Sequence, residues 1–177
     1  MLDALGLDPE SHRLYLLEHF DDESGDLPQL HFMHTRGQHM GRLVPVRDWY
    51  RGALDKVEAQ FERRLEALTR RLRPLRPLSA DALQLQTRVV RRRALRLDAD
   101  SPPIRKFELR LTVRQRDAAI SSLGWRTVVT AYLRPRARLV EAWRVPGERL
   151  ALAFVAYVGI PFEIGYEKQA ALLVPYV

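Results

Sequence analysis

The chain has 177 residues, 46% hydrophobic and 29% charged, which suits one globular domain with a core of its own. It contains no cysteine, so disulfides, thiolate metal sites and thiol nucleophiles are excluded. The longest apolar run, LALAFVAYVGIPF at 150–162, carries a glycine and a proline and is too short for a membrane-spanning helix, so no membrane association is expected.

The formal net charge is +7, and a basic body of this kind attracts nucleic acid or acidic partners. Lys56, Lys106 and Lys168 are the only lysines among 29 basic residues, so 26 are arginines. Arginine grips phosphate bidentately, but a GC-rich genome also supplies arginine codons throughout a chain, and here arginine replaces lysine everywhere. The opening MLDALGLDPE shows no secretion-signal pattern, and a cytoplasmic protein is expected.

In chain order, residues 1–47 read as two or three short strands, an N-terminal β-hairpin region with an acidic turn, DDESGDLP, and a turn at Arg36 and Gly37. From Asp48 the period changes. Tyr50, Leu54, Val57, Phe61, Leu65, Leu68, Leu72 and Leu75 recur at helical spacing, and Pro74 stops the pattern. The spacing predicts one long helix over 48–73, capped by Asp48 and about 39 Å in length at roughly 1.5 Å per residue. Its narrow stripe fits a sheet surface, or alternatively a second copy or a protein partner.

The segment RPLRPLS at 73–79 reads as a stiff linker and the main internal boundary. Beyond it, LQLQTRV and KFELRLTVR alternate apolar and polar residues, predicting a hairpin around the loop at 98–103. A helix from Ser79 to Leu97 is the alternative, because Val89 and Val90 break strict alternation. The rest, 125–133, 137–145, 149–159 and the closing ALLVPYV, reads as an antiparallel meander within a sheet spanning 83–177. The strand over 150–160 is apolar on both faces and belongs mid-sheet, with Ala151 and Ala153 small enough to admit a helix. Together these give an α+β fold in a single domain, 1–177: one long amphipathic helix packed on a mostly antiparallel sheet.

The strongest functional signal is the arginine row in TRVVRRRALRL. Simple alternation along the hairpin places Arg88, Arg92, Arg96, Lys106, Arg110, Arg114 and Arg116 on the face opposite the core, with Glu108 the sole acid. Such a face suits a phosphate backbone, and its lack of aromatic residues argues against base reading. A solvated face in an arginine-rich chain looks the same. The leading expectation is therefore a non-enzymatic accessory protein that engages nucleic-acid phosphates inside a larger nucleoprotein assembly.

Two further readings stand beside it. One is an assembly protein that forms a homo-oligomer or docks on a partner through the long helix and the apolar C-terminal strands. The other is a metal-dependent hydrolase using His12, His19, His31, His34 and His39 with Asp21, Asp22, Glu23 and Asp26. Its spacing is poor, with no His-Glu-x-x-His pattern, and no metal or other cofactor is assigned. Glu163 and Glu167 form a weak acid–base pair candidate, and no nucleophile elbow or phosphate-binding glycine loop occurs.

Overall fold

The computed structural model describes residues 1–20, 27–51, 54–96, 102–116, 125–160 and 167–177. Its contacts divide the chain into two compact units, Met1–Arg76 with Val145–Glu148, and Pro77–Arg144 with Arg149–Val177. The boundary falls inside the RPLRPLS linker.

In the first unit β1 (Leu2–Asp8), β2 (Arg13–Glu18), β3 (Gln29–His34) and β4 (Leu43–Pro45) form an antiparallel meander. Alternation in β2 sends Tyr15 and Leu17 to one face and Leu14 and Leu16 to the other, and both sets are buried. Tyr15 pairs with Phe32 and Leu17 with Leu30 across β2 and β3. Against that face lies α1 (Leu54–Arg71), whose Phe61 and Leu68 share a core cluster with Tyr15, Leu17 and Leu30.

The helix is thus 18 residues long, not the 48–73 rod its stripe predicts. Both shortenings have local causes. Arg47–Tyr50 forms a 3-10 turn instead, held where the Tyr50 hydroxyl donates to Pro28 O at 2.7 Å and accepts from Leu30 N at 2.5 Å. Trp49 and Tyr50 still reach the Phe61 ring, both at 5.8 Å, so the apolar period continues through a break in the helix. At the other end Arg73 exchanges backbone hydrogen bonds with Leu7, 3.0 and 2.8 Å, which draws the chain into a bridge before Pro74 is reached.

The second unit contains two sheets. In one, β6 (Leu83–Leu95), β7 (Ile104–Gln115) and β8 (Trp125–Tyr132) lie in that order; in the other the order is β11 (Glu167–Pro175), β10 (Leu150–Val158), β9 (Ala137–Arg144) and β5 (Arg76–Leu78). Residues 83–95 are strand, and Ser79 caps only the short turn Ala80–Ala82, through Asp81 N at 3.3 Å. The chain leaves one sheet for the other after β8, around Leu133 at φ 61°, so the expected meander is split between them. Phe107, Leu109, Leu111 and Val113 of β7 meet Ala142, Ala153, Val155, Leu172 and Val174 of the other sheet in one core. Strand β10 lies between β9 and β11 and is buried from Leu150 to Ala156. Ala153 meets the opposing sheet there, not a helix.

The fold is therefore mostly β, with three antiparallel sheets and one short helix among the described residues. This corrects the α+β expectation of one long helix packed on the sheet. The helix belongs to the first unit's small meander, and the larger β-core is closed by sheet against sheet. No helix among the described residues is long and apolar enough to cross a membrane.

Two residues of β1 make testable demands. Gly6 lies in a β-bulge at φ 146°, and a Cβ there would stand 2.8 Å from Arg73 O. Gly6→Ala is expected to lower unfolding free energy by about 1–3 kcal/mol in a denaturant titration, whereas an unchanged midpoint contradicts the bridge. Asp8 is nearly buried, which pushes its carboxyl up. The Ser11 hydroxyl at 2.9 Å, the Glu10 and Ser11 backbone N–H groups and the Arg71 guanidinium outweigh burial and hold it below the ordinary carboxylate range. Its ionised form therefore stabilises the fold above the ordinary carboxylate pKa, and that contribution is lost as pH falls through the depressed folded value. The stability gap between wild type and Asp8→Asn should be largest near neutrality and shrink below about pH 4. A gap that widens in acid would show that the carboxylate is not stabilised here.

Candidate functional site

Strand β7 occupies the centre of its sheet, and its buried Phe107, Leu109, Leu111 and Val113 leave Lys106, Glu108, Arg110, Thr112 and Arg114 on the outer face. Directly paired residues of antiparallel strands share a face, so the register supplies the rest. From β6, Gln84 stands opposite Arg114, Gln86 opposite Thr112 and Arg88 opposite Arg110. The register then shifts between Val89 and Arg91. Beyond the bulge Arg91 faces Glu108, Arg93 faces Lys106, and Arg92 pairs with Phe107.

That extra residue reverses the outward parity of the row. Arg92 is turned to the core side of the sheet, where its guanidinium carbon lies 5.5 Å from the Phe107 ring centre. Arg96 follows the end of β6, and Arg116 follows β7 with its N–H donating to Ala82 O at 2.9 Å. Arg88, Lys106, Arg110 and Arg114 are brought together as simple alternation predicts. Arg91 and Arg93 take the outward places that alternation gives to Arg92, while Arg96 lies beyond the paired residues. The Val89 and Val90 doublet was the visible sign of this shift. Strand β8 adds Arg126 opposite Thr112, Val128 opposite Arg110 and Tyr132 opposite Lys106.

The outer face thus carries Arg88, Arg91, Arg93, Lys106, Arg110, Arg114 and Arg126, with Glu108 its one acid among the described residues. Glu108 lies 4.0 Å from Arg91, and Arg114 is tied to Gln84 Oε1 at 3.0 Å. Arg88 opposite Arg110 and Arg93 opposite Lys106 are like-charge cross-strand pairs, which destabilise a sheet by roughly 0.2–1 kcal/mol each. Arginines on β6 also discourage edge-to-edge pairing, because β6 is an edge strand. Edge protection does not account for the cations of central β7.

His12, His19 and His31 each meet a different carboxylate and do not gather, while His34 and His39 line one cleft. His12 Nδ1 is 3.4 Å from Glu148, His19 Nε2 2.8 Å from Asp3, and His31 Nε2 2.9 Å from Glu18. Among the described residues no three His, Asp or Glu side chains stand close enough to hold a metal ion. Asp21, Asp22, Glu23, Asp26 and Glu163 lie outside the described residues. Comparison with family models, curated proteins and solved structures returned no match.

The Arg88 and Arg110 pair gives a stability test free of any ligand. Arg88→Glu should raise thermal or denaturant stability by up to about 1 kcal/mol, since it converts a repulsive cross-strand pair into an attractive one. A loss of stability would contradict the register.

Proposed function

We propose that the protein binds the phosphate backbone of nucleic acid through the outer face of β6, β7 and β8, in a non-enzymatic accessory role within a larger nucleoprotein assembly. The observation carrying this reading is the pair of like-charge contacts between β6 and central β7, Arg88 opposite Arg110 and Arg93 opposite Lys106. Unopposed cations cost the free protein stability, and a polyanion would relieve their repulsion while releasing its own counterions. Tyr132 is the one aromatic residue among the described outward positions of the three strands, so the contacts are to phosphate and sugar with little reading of bases.

Assembly through the helix draws less support. The stripe residues Val57, Phe61 and Leu68 are already buried, Phe61 and Leu68 against β2 and β3, and Leu172, Leu173 and Val174 of β11 are buried as well.

Matched charge reversals separate this face from bulk charge. Arg88→Glu with Arg110→Glu removes two outward cations, while Arg92→Glu with Arg105→Glu makes the same charge change on the Phe107 side. Binding to labelled duplex DNA and single-stranded RNA should weaken at least about tenfold for the first pair near 0.1 M salt. The slope of log affinity against log salt should fall by about two phosphate contacts, roughly 0.7–0.9 each. The second pair should stay within about threefold of wild type at the same salt. Equal losses from both pairs, or affinity indifferent to salt, would remove the proposal.

A further inference from the structure

The first unit holds a cleft of about 760 Å³ that the sheet-face reading does not use, within the range of small-molecule sites. Its floor is the part of the β2–β3–β4 surface beyond the helix contact. Leu17 is buried in the cluster with Phe61 and Leu68, whereas the half-buried Phe32 and the Arg13 and His34 pair line the cavity, together with edges of the buried Tyr15, Leu30 and Leu68. Val44 of β4 and Trp49 of the 3-10 turn complete an apolar, aromatic interior.

The rim is cationic. Arg13, Arg42, Arg47, Arg51 and Arg71 all line the cleft, and Asp48 is the one acid in its lining. Asp48 is 3.2 Å from Arg51, and Arg71 is turned to Asp8 at 3.6 Å. Arg13, Arg42 and Arg47 have no carboxylate partner among the described residues. The Arg13 guanidinium carbon lies 4.4 Å from the Phe32 ring centre, and His34 meets the same ring edge-on at 5.1 Å. A guanidinium seated on a ring is held for stacking on its other side while its N–H groups stay free for anion contacts.

From these features we infer that the cleft binds a nucleotide, with the base stacked in the Arg13, Phe32 and Trp49 interior and phosphate held by Arg13, Arg42 and Arg47. A bare inorganic anion would leave the aromatic floor unused, and an uncharged aromatic ligand would leave three guanidiniums without an anionic contact. Base stacking on aromatic rings and arginine planes, combined with guanidinium contacts to phosphate, satisfies both halves of the lining. The same chemistry is offered by a free nucleotide and by the 5′-phosphorylated end of a strand. This inference does not rest on the β6–β8 face.

Calorimetry of the full chain with adenosine 5′-monophosphate, adenosine, inorganic phosphate, and a short oligonucleotide with and without a 5′-phosphate tests it. The mononucleotide should bind at least about tenfold more tightly than adenosine or phosphate alone, or the 5′-phosphorylated strand at least about tenfold more tightly than the same strand lacking that phosphate. Binding of the mononucleotide alone assigns a free nucleotide, and a requirement for the phosphorylated strand assigns a chain end. Arg13→Ala and the exposed Arg42→Ala should each weaken mononucleotide binding, or the gain from the 5′-phosphate, by about tenfold. Absence of saturable binding, parity between nucleotide and inorganic phosphate, or indifference to both arginine substitutions would overturn the inference.

Discussion

The period of two along β7 is the constraint on which the second unit depends. Burying Phe107, Leu109, Leu111 and Val113 against the facing sheet turns every intervening side chain outward, whatever its charge. The core thereby fixes the positions of Lys106, Arg110 and Arg114, and pairing across β6 and β8 extends that fixed spacing to Arg88, Arg91, Arg93 and Arg126. A one-residue slip of β7 would place these cations in the core, so register and charge pattern are enforced by the same apolar residues. Local repulsion on the outer face is small beside the burial of four large β7 side chains, at roughly 1.5–3 kcal/mol each.

The first unit solves a different problem with a short helix and a small sheet. Phe61 and Leu68 are enough to close one end of the β2–β3 face, and Tyr50, anchored to Pro28 and Leu30, holds the preceding turn clear of a helical path. The result is an apolar surface that is only partly covered by the helix. Arginines occupy the margin of the remaining cleft, where their apolar stems can rest on the floor while their heads stay hydrated.

Much of this was legible in the residues, and the failures were specific. The period in Val57, Phe61, Leu65 and Leu68 did mark a helix, and the alternation in β7 did mark a strand with one buried face. The helix boundaries were illegible because Trp49 and Tyr50 contribute to the same core from a 3-10 turn, so hydrophobic spacing does not distinguish the two conformations. Strand β1 carries a bulge at Gly6 that interrupts its pattern and hid it. The α+β expectation fails because a second sheet, not a helix, covers β7, and the strand pattern of 125–177 does not distinguish a second sheet from a continuation of the first. At the candidate site, Val90 shows how a single bulged residue exchanges Arg92 for Arg91 and Arg93, a change no alternation rule can place without the partner strand. The aromatic floor of the cleft was equally hidden, since Arg13, Phe32 and Trp49 are brought together only by the meander.

Arginine-selective chemical modification, mapped by mass spectrometry with and without a saturating oligonucleotide, tests the central claim most directly. If one sheet face meets the phosphates, Arg88, Arg91, Arg93, Arg110 and Arg126 become protected while Arg92 and Arg105 react as in the free protein. Protection spread evenly over both sides of the β6–β7 hairpin, or absent from Arg110 on the central strand, would show that net charge alone, and not this face, draws the ligand.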